Sequence, residues 1–213
     1  EGRFVDDINV ARQSFAAFFR SPHAHATILS IDLSDASSMP GVLGIYTVAD
    51  LKADGVGDIP CMAPTTNKDG SPCAMPPRPA LAENKVRYVG DAIAVVVAET
   101  REQAIDAAEN VWVDYEVLPA VVETNCAMTN DTVQIWETVD NNQCFDWEAG
   151  DAETTEKAFS EAKHIVELDL INNRVVPTSM ETRGAIASVE KDGRLALHVS
   201  CQGVHVMRRL LAT

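Results

Sequence analysis

The run Ala92-Ile93-Ala94-Val95-Val96-Val97-Ala98 carries no polar side chain on either face. A strand with one wet face alternates apolar and polar residues, so this one must be covered on both sides. The next residues narrow the choice further. Thr100 and Gln103 form a capping box, Ile105, Ala108 and Trp112 recur at helical spacing, and Val113, Tyr115 and Val117 alternate up to Pro119. Residues 86–119 therefore read as strand, helix, strand, a unit that needs other strands to cover it.

The residues before it can supply that cover. Residues 15–19 and then Thr27, Leu29, Ile31 and Leu33 alternate as strands do, and residues 42–46 give another. Ser34 and Asp35 are expected to cap a short helical turn before Pro40-Gly41. Thr47, with Asp50 three residues on, is expected to cap a short helix ending near Gly55. Residues 55–79 are thick in Gly, Pro, Asn and Asp and are expected to be a long loop, functional or mobile.

Between residues 123 and 150 no period persists, and Asn and Asp accumulate as in a connection between domains. Asp151 is expected to cap a helix reaching Lys163, with Ala158, Phe159 and Ala162 on its apolar side. Val166, Leu168 and Leu170 alternate as a strand would. Residues 185–189 and 195–199 flank Asp192-Gly193 as the arms of a hairpin, because Gly supplies the positive φ of a tight turn. Arg208 and the residues after it begin a last helix.

Charge and cysteine usage exclude several classes. A net charge of -15 leaves no basic surface for nucleic acid, and no apolar run reaches the roughly 18 residues of a membrane span. Cys61, Cys73, Cys126, Cys144 and Cys201 are odd in number and lack any C-x-x-C pair. They encode neither a disulfide framework nor a zinc or iron-sulfur site, which points to a reducing cytoplasm. No phosphate-binding loop, dinucleotide fingerprint, zinc-protease or hydrolase motif occurs.

A few residues have chemistry worth naming. His23 and His25 would share one face of a strand, as a metal pair does, but no third ligand accompanies them and a structural turn is the plainer reading. Cys61 and Cys73 read as reduced loop thiols, and the acidic stretch 146–161 as a solvated helix face. Glu181 and Arg183 on an extended segment suit either a substrate or a structural ion pair. Gln202, behind an apolar strand, offers a donor and an acceptor at once, as a polar cofactor requires.

Three C-terminal runs, Asn172-Asn173-Arg174, Met180-Glu181-Thr182-Arg183-Gly184 and Ser200-Cys201-Gln202-Gly203-Val204-His205, share a common likeness. So do Gly2-Arg3-Phe4-Val5-Asp6-Asp7, Arg20-Ser21-Pro22-His23-Ala24-His25-Ala26, Arg87-Tyr88-Val89-Gly90-Asp91 and Val113-Asp114-Tyr115-Glu116-Val117-Leu118-Pro119-Ala120 near the start. In this order the runs resemble the large subunit of molybdenum hydroxylases, the family of xanthine dehydrogenase, aldehyde oxidase and aerobic carbon monoxide dehydrogenase. The resemblance implies an α+β chain. An α/β hammerhead domain is expected over residues 1–122, a linker over 123–150, and the start of a molybdopterin-binding domain over 151–213.

It further implies a molybdenum-pterin cofactor, commonly in the cytosine dinucleotide form, and Gln202 as a residue facing it. No catalytic residue and no protein ligand to the metal is expected among these residues. The glycine-rich metal-side loop and the general-base glutamate would lie downstream. Iron-sulfur and FAD subunits or domains, a dimeric assembly, a small-molecule substrate and a cytoplasmic location complete the expectation, with these 213 residues inactive alone. The chain departs from the family pattern at Cys201, where Thr is common, at Val204, where Pro often stands, and at Thr182, where Pro is expected. The rival expectation is a free-standing hammerhead module that serves assembly without chemistry.

Overall fold

The structure, a computed structural model, describes residues 3–212 apart from 130 and 174. Gly2 and Arg174, both within the runs that carry the family resemblance, lie outside the described residues. The chain divides into two compact units, residues 10–146 with 203–213 and residues 1–9 with 147–202.

In the larger unit the strands are β1 (Phe15–Arg20), β2 (Ala26–Asp32), β3 (Val42–Thr47), β4 (Lys85–Val86), β5 (Ala92–Ala98) and β6 (Trp112–Val117). They form two antiparallel sheets, ordered β1-β5-β3 and β4-β2-β6. The Val-rich run is the middle strand of the first, with Val96 facing Ala17 on one side and Ile45 on the other. Its two outer strands come from earlier in the chain, as expected. The strand after the helix joins the other sheet, where Ile31 faces Val113. Ala26, Val86, Ile93, Val96, Ala107, Val111 and Val113 share the core with partly buried Phe19, Ile28 and Ile45 around them. Burying one such Ile or Val side chain is worth about 1.5–3 kcal/mol.

Helix α1 spans Ser34–Ser38, α2 Val48–Ala53 and α3 Arg101–Glu109. The cap of α1 differs from expectation. The Asp32 carboxylate accepts the Ser34 N–H at 2.9 Å and its hydroxyl at 2.6 Å, so an upstream acceptor serves the turn in place of Ser34 or Asp35. At α2 the Asp50 carboxylate takes the Thr47 N–H at 2.7 Å. At α3 the expected box closes both ways: the Gln103 N–H donates to the Thr100 hydroxyl at 3.2 Å, and the Thr100 N–H to the Gln103 Oε1 at 3.1 Å.

The inward face of α3 requires a correction. Ile105 is 43% exposed and Trp112 71% exposed, while Ala104, Ala107, Ala108 and Val111 are buried. Ala108 is buried as expected, but the face is completed at i, i+3, i+4, i+7 spacing by Ala104, Ala107 and Val111 in place of Ile105 and Trp112. Small side chains prevail because α3 lies against β1 and β5, where a larger residue would hold the helix off the sheet. Gly41 also abuts this cap. It stands at φ +79°, and a Cβ there would fall 2.3 Å from the Gln103 carboxamide.

Residues 55–79 form the expected loop, whose ladder is a single Thr66–Pro72 bridge. Residues 143–146 strap it down: the Ala74 N–H donates to the Cys144 carbonyl at 2.8 Å, and the Lys68 N–H to the Asp146 carbonyl at 2.7 Å.

In the smaller unit α4 spans Ala152–Glu161, shorter than expected, and its cap is the expected one, with Asp151 accepting the Thr154 N–H at 2.9 Å. Strands β7 (Ala185–Val189) and β8 (Leu195–Val199) pair as the hairpin, with Gly193 at φ +84°. The strand expected at Val166, Leu168 and Leu170 is absent. No described residue offers it a ladder, and these side chains are 91%, 77% and 80% exposed. Helix α5, Val204–Leu211, belongs to the larger unit. Among the described residues no helix is long and apolar enough to cross a membrane.

Candidate functional site

Gln202 lies in the four-residue connection between β8 and α5, beyond the last ladder pair, Ala185–Val199. Its carboxamide is exposed, as is Cys201 before it. An exposed primary amide presents two N–H donors and one carbonyl acceptor in a fixed plane, and it is neutral at every working pH. That chemistry fits the oxygen- and nitrogen-rich edge of a pterin cofactor. One amide fits one edge, however, and does not by itself enclose such a group.

Glu181 is half-buried and Arg183 exposed on the irregular segment before β7. The Glu181 carbonyl accepts the Ser179 hydroxyl at 3.0 Å. The Thr182 hydroxyl between them donates to the Asp6 carboxylate at 2.5 Å, within the same unit.

The two histidines take separate positions. His23 stacks edge-on against Tyr115, with ring centroids 4.9 Å apart at 71°. His25 is 2% exposed, and its Nδ1 lies 2.7 Å from the Pro119 carbonyl. A carbonyl only accepts, so Nδ1 donates, and Nε2 is buried without a hydrogen-bond partner among the described residues. Among the described residues no group of three or more His, Cys, Asp or Glu is placed to hold a metal ion. Cys61 is an exposed free thiol, and Cys73 a half-buried one that accepts the Thr65 N–H at 3.4 Å.

Sequence reasoning missed one polar cluster. Arg87 donates from Nε to the Ile135 carbonyl at 3.0 Å, and its guanidinium covers the Trp136 ring. Glu137 completes the group, paired with Lys85 and 3.7 Å from Arg87. The hydrogen bond from Lys85 is the main reason that the Glu137 carboxyl is held down at about 2. Burial lowers the Arg87 value, opposed by the charges of Glu137 and Asp91. The available signal was Lys85-x-Arg87, two cations on one face of a strand. Its partners lie 48 residues or more away and could not be paired with it by spacing.

Comparison with known proteins bears on both units. Residues 1–119 match the family model described as aldehyde oxidase and xanthine dehydrogenase, a/b hammerhead domain. The chain belongs to the aldehyde oxidase and xanthine dehydrogenase family. Residues 135–213 match the molybdopterin cofactor-binding domain. The carbon monoxide dehydrogenase large chain of Afipia carboxidovorans is 35% identical over all of this chain and 26% of its own length. The nicotine 6-hydroxylase large subunit of Paenarthrobacter nicotinovorans is 37% identical over 99% of this chain and 25% of its own. The structure of reconstituted CO dehydrogenase from Oligotropha carboxidovorans superposes with a TM-score of 0.84 at 34% identity, covering 99% of this chain and 26% of that one.

The α+β hammerhead expected from the sequence is thus the fold of this family member. The chain spans about a quarter of the length of the curated relatives it matches. The cofactor-domain match begins at residue 135, beside the Trp136 and Glu137 that close on Arg87.

Proposed function

We propose that these residues form the N-terminal part of the molybdopterin-binding large subunit of a molybdenum hydroxylase. The enzyme would oxidise or hydroxylate an aldehyde, an N-heterocycle or carbon monoxide with water as the oxygen source. One observation carries this reading: the hammerhead match and the cofactor-domain match lie in that order on a single chain. In this proposal residues 1–122 are the hammerhead domain, 123–150 a linker, and 151–213 the start of the cofactor domain.

A molybdenum-pterin cofactor, which we assign to the cytosine dinucleotide form, supplies an electron sink and a polarising metal centre when bound. Gln202 binds and orients it. Its exposed N–H donors suit an anionic oxygen, and its neutrality keeps the centre's charge unaltered. The hairpin β7–β8 gives that amide a stiff base, since its five residue pairs fix the strand that leads to Gln202. The hammerhead unit acts as scaffold, with His25 tying the start of β2 to the Pro119 carbonyl beyond β6. No residue of 1–213 is assigned a proton-transfer or metal-ligating role, so these residues alone are expected to be inactive. Iron-sulfur and FAD subunits or domains, a dimeric assembly and a cytoplasmic location belong to the same proposal.

The test is to read the gene beyond the codon for Thr213 and to purify the protein it encodes. Stoichiometric molybdenum, with dye-linked oxidation of an aldehyde, a purine or carbon monoxide, is the expected result. A metal-free and inactive full-length protein would overturn the enzymatic reading in favour of an assembly module. In an active protein, Gln202→Ala is expected to lower kcat/KM about tenfold or more, the scale of one lost polar contact to a charged centre. An unchanged value would remove Gln202 from the site.

A further inference from the structure

Asp6 and Thr182 stand 176 positions apart in the chain, yet they belong to one compact unit and are hydrogen-bonded at 2.5 Å. An ionised acceptor makes such a bond shorter and stronger than a neutral one does. Two residues on, Gly184 provides the space for a second contact: a Cβ there would lie 3.2 Å from the Val5 Cγ1 and 3.4 Å from the Asp6 Oδ1. Val5 and Asp6 sit on a short 3-10 turn, Val5–Asp7. The turn holds its own shape, because the Phe4 N–H donates to the Asp7 carboxylate at 2.9 Å and the Ile8 N–H to the Val5 carbonyl at 3.1 Å.

The segment that it meets needs fixing. Between α4 and β7 no strand ladder holds the described backbone. Thr178 stands at φ +53°, a left-handed conformation that a β-branched residue seldom adopts. The bonds found inside the segment are local, from the Thr178 hydroxyl to the Val176 carbonyl and from the Ser179 hydroxyl to the Glu181 carbonyl, each at 3.0 Å. They shape the segment without anchoring it to another part of the chain. The contacts from Val5 and Asp6 do anchor it.

We infer that the N-terminal turn is a clasp on the Thr182-Arg183-Gly184 run. Asp6 hydrogen-bonds the first of these residues and Val5 covers the third, and together they fix the direction in which the chain passes into β7. Asp6 and Val5 are positioning residues that act through this run on the hairpin. The inference goes beyond the molybdenum reading and needs no bound group.

Arg183, the residue between the two clasped ones, is exposed and supplies a direct readout. Trypsin must draw several residues on either side of a cleaved Arg into an extended conformation, so its rate at Arg183 follows the open population of the clasp. The experiment is limited trypsin digestion of the full 213-residue chain, with each cut quantified by mass spectrometry. Cleavage at Lys157 and Lys191, exposed positions of the same unit, is the internal reference. Thr182→Val and Asp6→Ala are each expected to speed the Arg183 cut about tenfold, the factor carried by one charge-assisted hydrogen bond. The double variant should be no faster than either single one, and Thr182→Ser should restore the parent rate. Gly184→Ala, which presses on Val5, should also speed the cut. The clasp is overturned if the single variants stay within about twofold of the parent or if the double variant multiplies their effects. It is equally overturned if Ser behaves like Val, or if the Lys157 and Lys191 cuts accelerate in parallel, since the effect would then not be local.

Discussion

The Arg87 guanidinium lies over the Trp136 indole, 3.4 Å from the ring centroid. Arg87 continues the line of the short strand β4, and Trp136 lies in the irregular stretch between β6 and α4. The same guanidinium donates to the Ile135 carbonyl at 3.0 Å and to the Lys85 carbonyl at 3.3 Å. One planar cation thus ties a segment without secondary structure to the edge of a sheet. Lys carries no planar fork and cannot both stack and donate in this way.

Arg87→Lys is therefore expected to destabilise the chain by about 1–2 kcal/mol, from one lost stack and one or two lost hydrogen bonds. Trp136→Ala should cost a similar amount. The two losses should be less than additive in the double variant, because each removes the same stack. Urea unfolding of the four proteins measures this, and strict additivity would show that the stack contributes nothing.

Glu137 makes the same attachment depend on pH. Its carboxyl sits at about 2 in the folded chain, against an ordinary 4.5, chiefly through the hydrogen bond from Lys85. With the folded value below the unfolded one, the unfolded chain takes up the proton first as pH falls. The stabilisation from Glu137 is complete above about 4.5 and is lost between there and about 2. Its side chain is 63% exposed, so solvent screening keeps the effect to at most about 1 kcal/mol. Glu137→Gln is expected to lower stability at pH 7 and to match the parent near pH 2, and high salt should shrink the difference.

The contrast between α3 and the Arg87 cluster shows what was legible in the sequence. Thr100 and Gln103 act through bonds three residues apart, so their spacing was enough to place the helix start. The Val-rich β5 announced its burial by having no polar face at all. Ala108 was read correctly on the inward face of α3, but Ile105 and Trp112 were read inward in place of Ala104 and Val111, because larger side chains weigh more in a hydrophobic pattern. The closeness of the sheet, which reverses that weighting, is a tertiary property. Arg87 with Trp136 and Asp6 with Thr182 are long-range pairs in which neither partner's neighbours reveal the other. The role proposed for Gln202 rests on the family likeness alone, since an exposed Gln behind a hairpin has no local signature.

Close packing beneath α3 sets the next expectation. Ala107 is fully buried in the core cluster, and α3 lies against β1 and β5. Ala107→Leu adds three carbons where no room exists and is expected to cost about 1–3 kcal/mol through displaced neighbours. Ile105→Ala, on the half-exposed side of the same helix, should cost clearly less than a core truncation, below about 1 kcal/mol. Thermal or urea unfolding distinguishes the two, and the reverse ranking would restore Ile105 to the inward face.

Thr178 sets a different kind of expectation, because here the native residue opposes its own backbone. At φ +53° a β-branched side chain crowds the main chain, and a residue so held stores about 1–3 kcal/mol. Asn tolerates the left-handed region and adds none of the unfolded-state freedom that Gly would. It also retains a side-chain donor for the Val176 carbonyl that the Thr178 hydroxyl now serves at 3.0 Å. Thr178→Asn is accordingly expected to stabilise the smaller unit by about 1 kcal/mol, read as slower amide exchange across the β7–β8 hairpin. Thr178→Val, which keeps the branch and loses the hydroxyl, should shift exchange in the opposite direction. Faster exchange in both variants would show that the Thr178 hydroxyl outweighs the backbone strain at this turn.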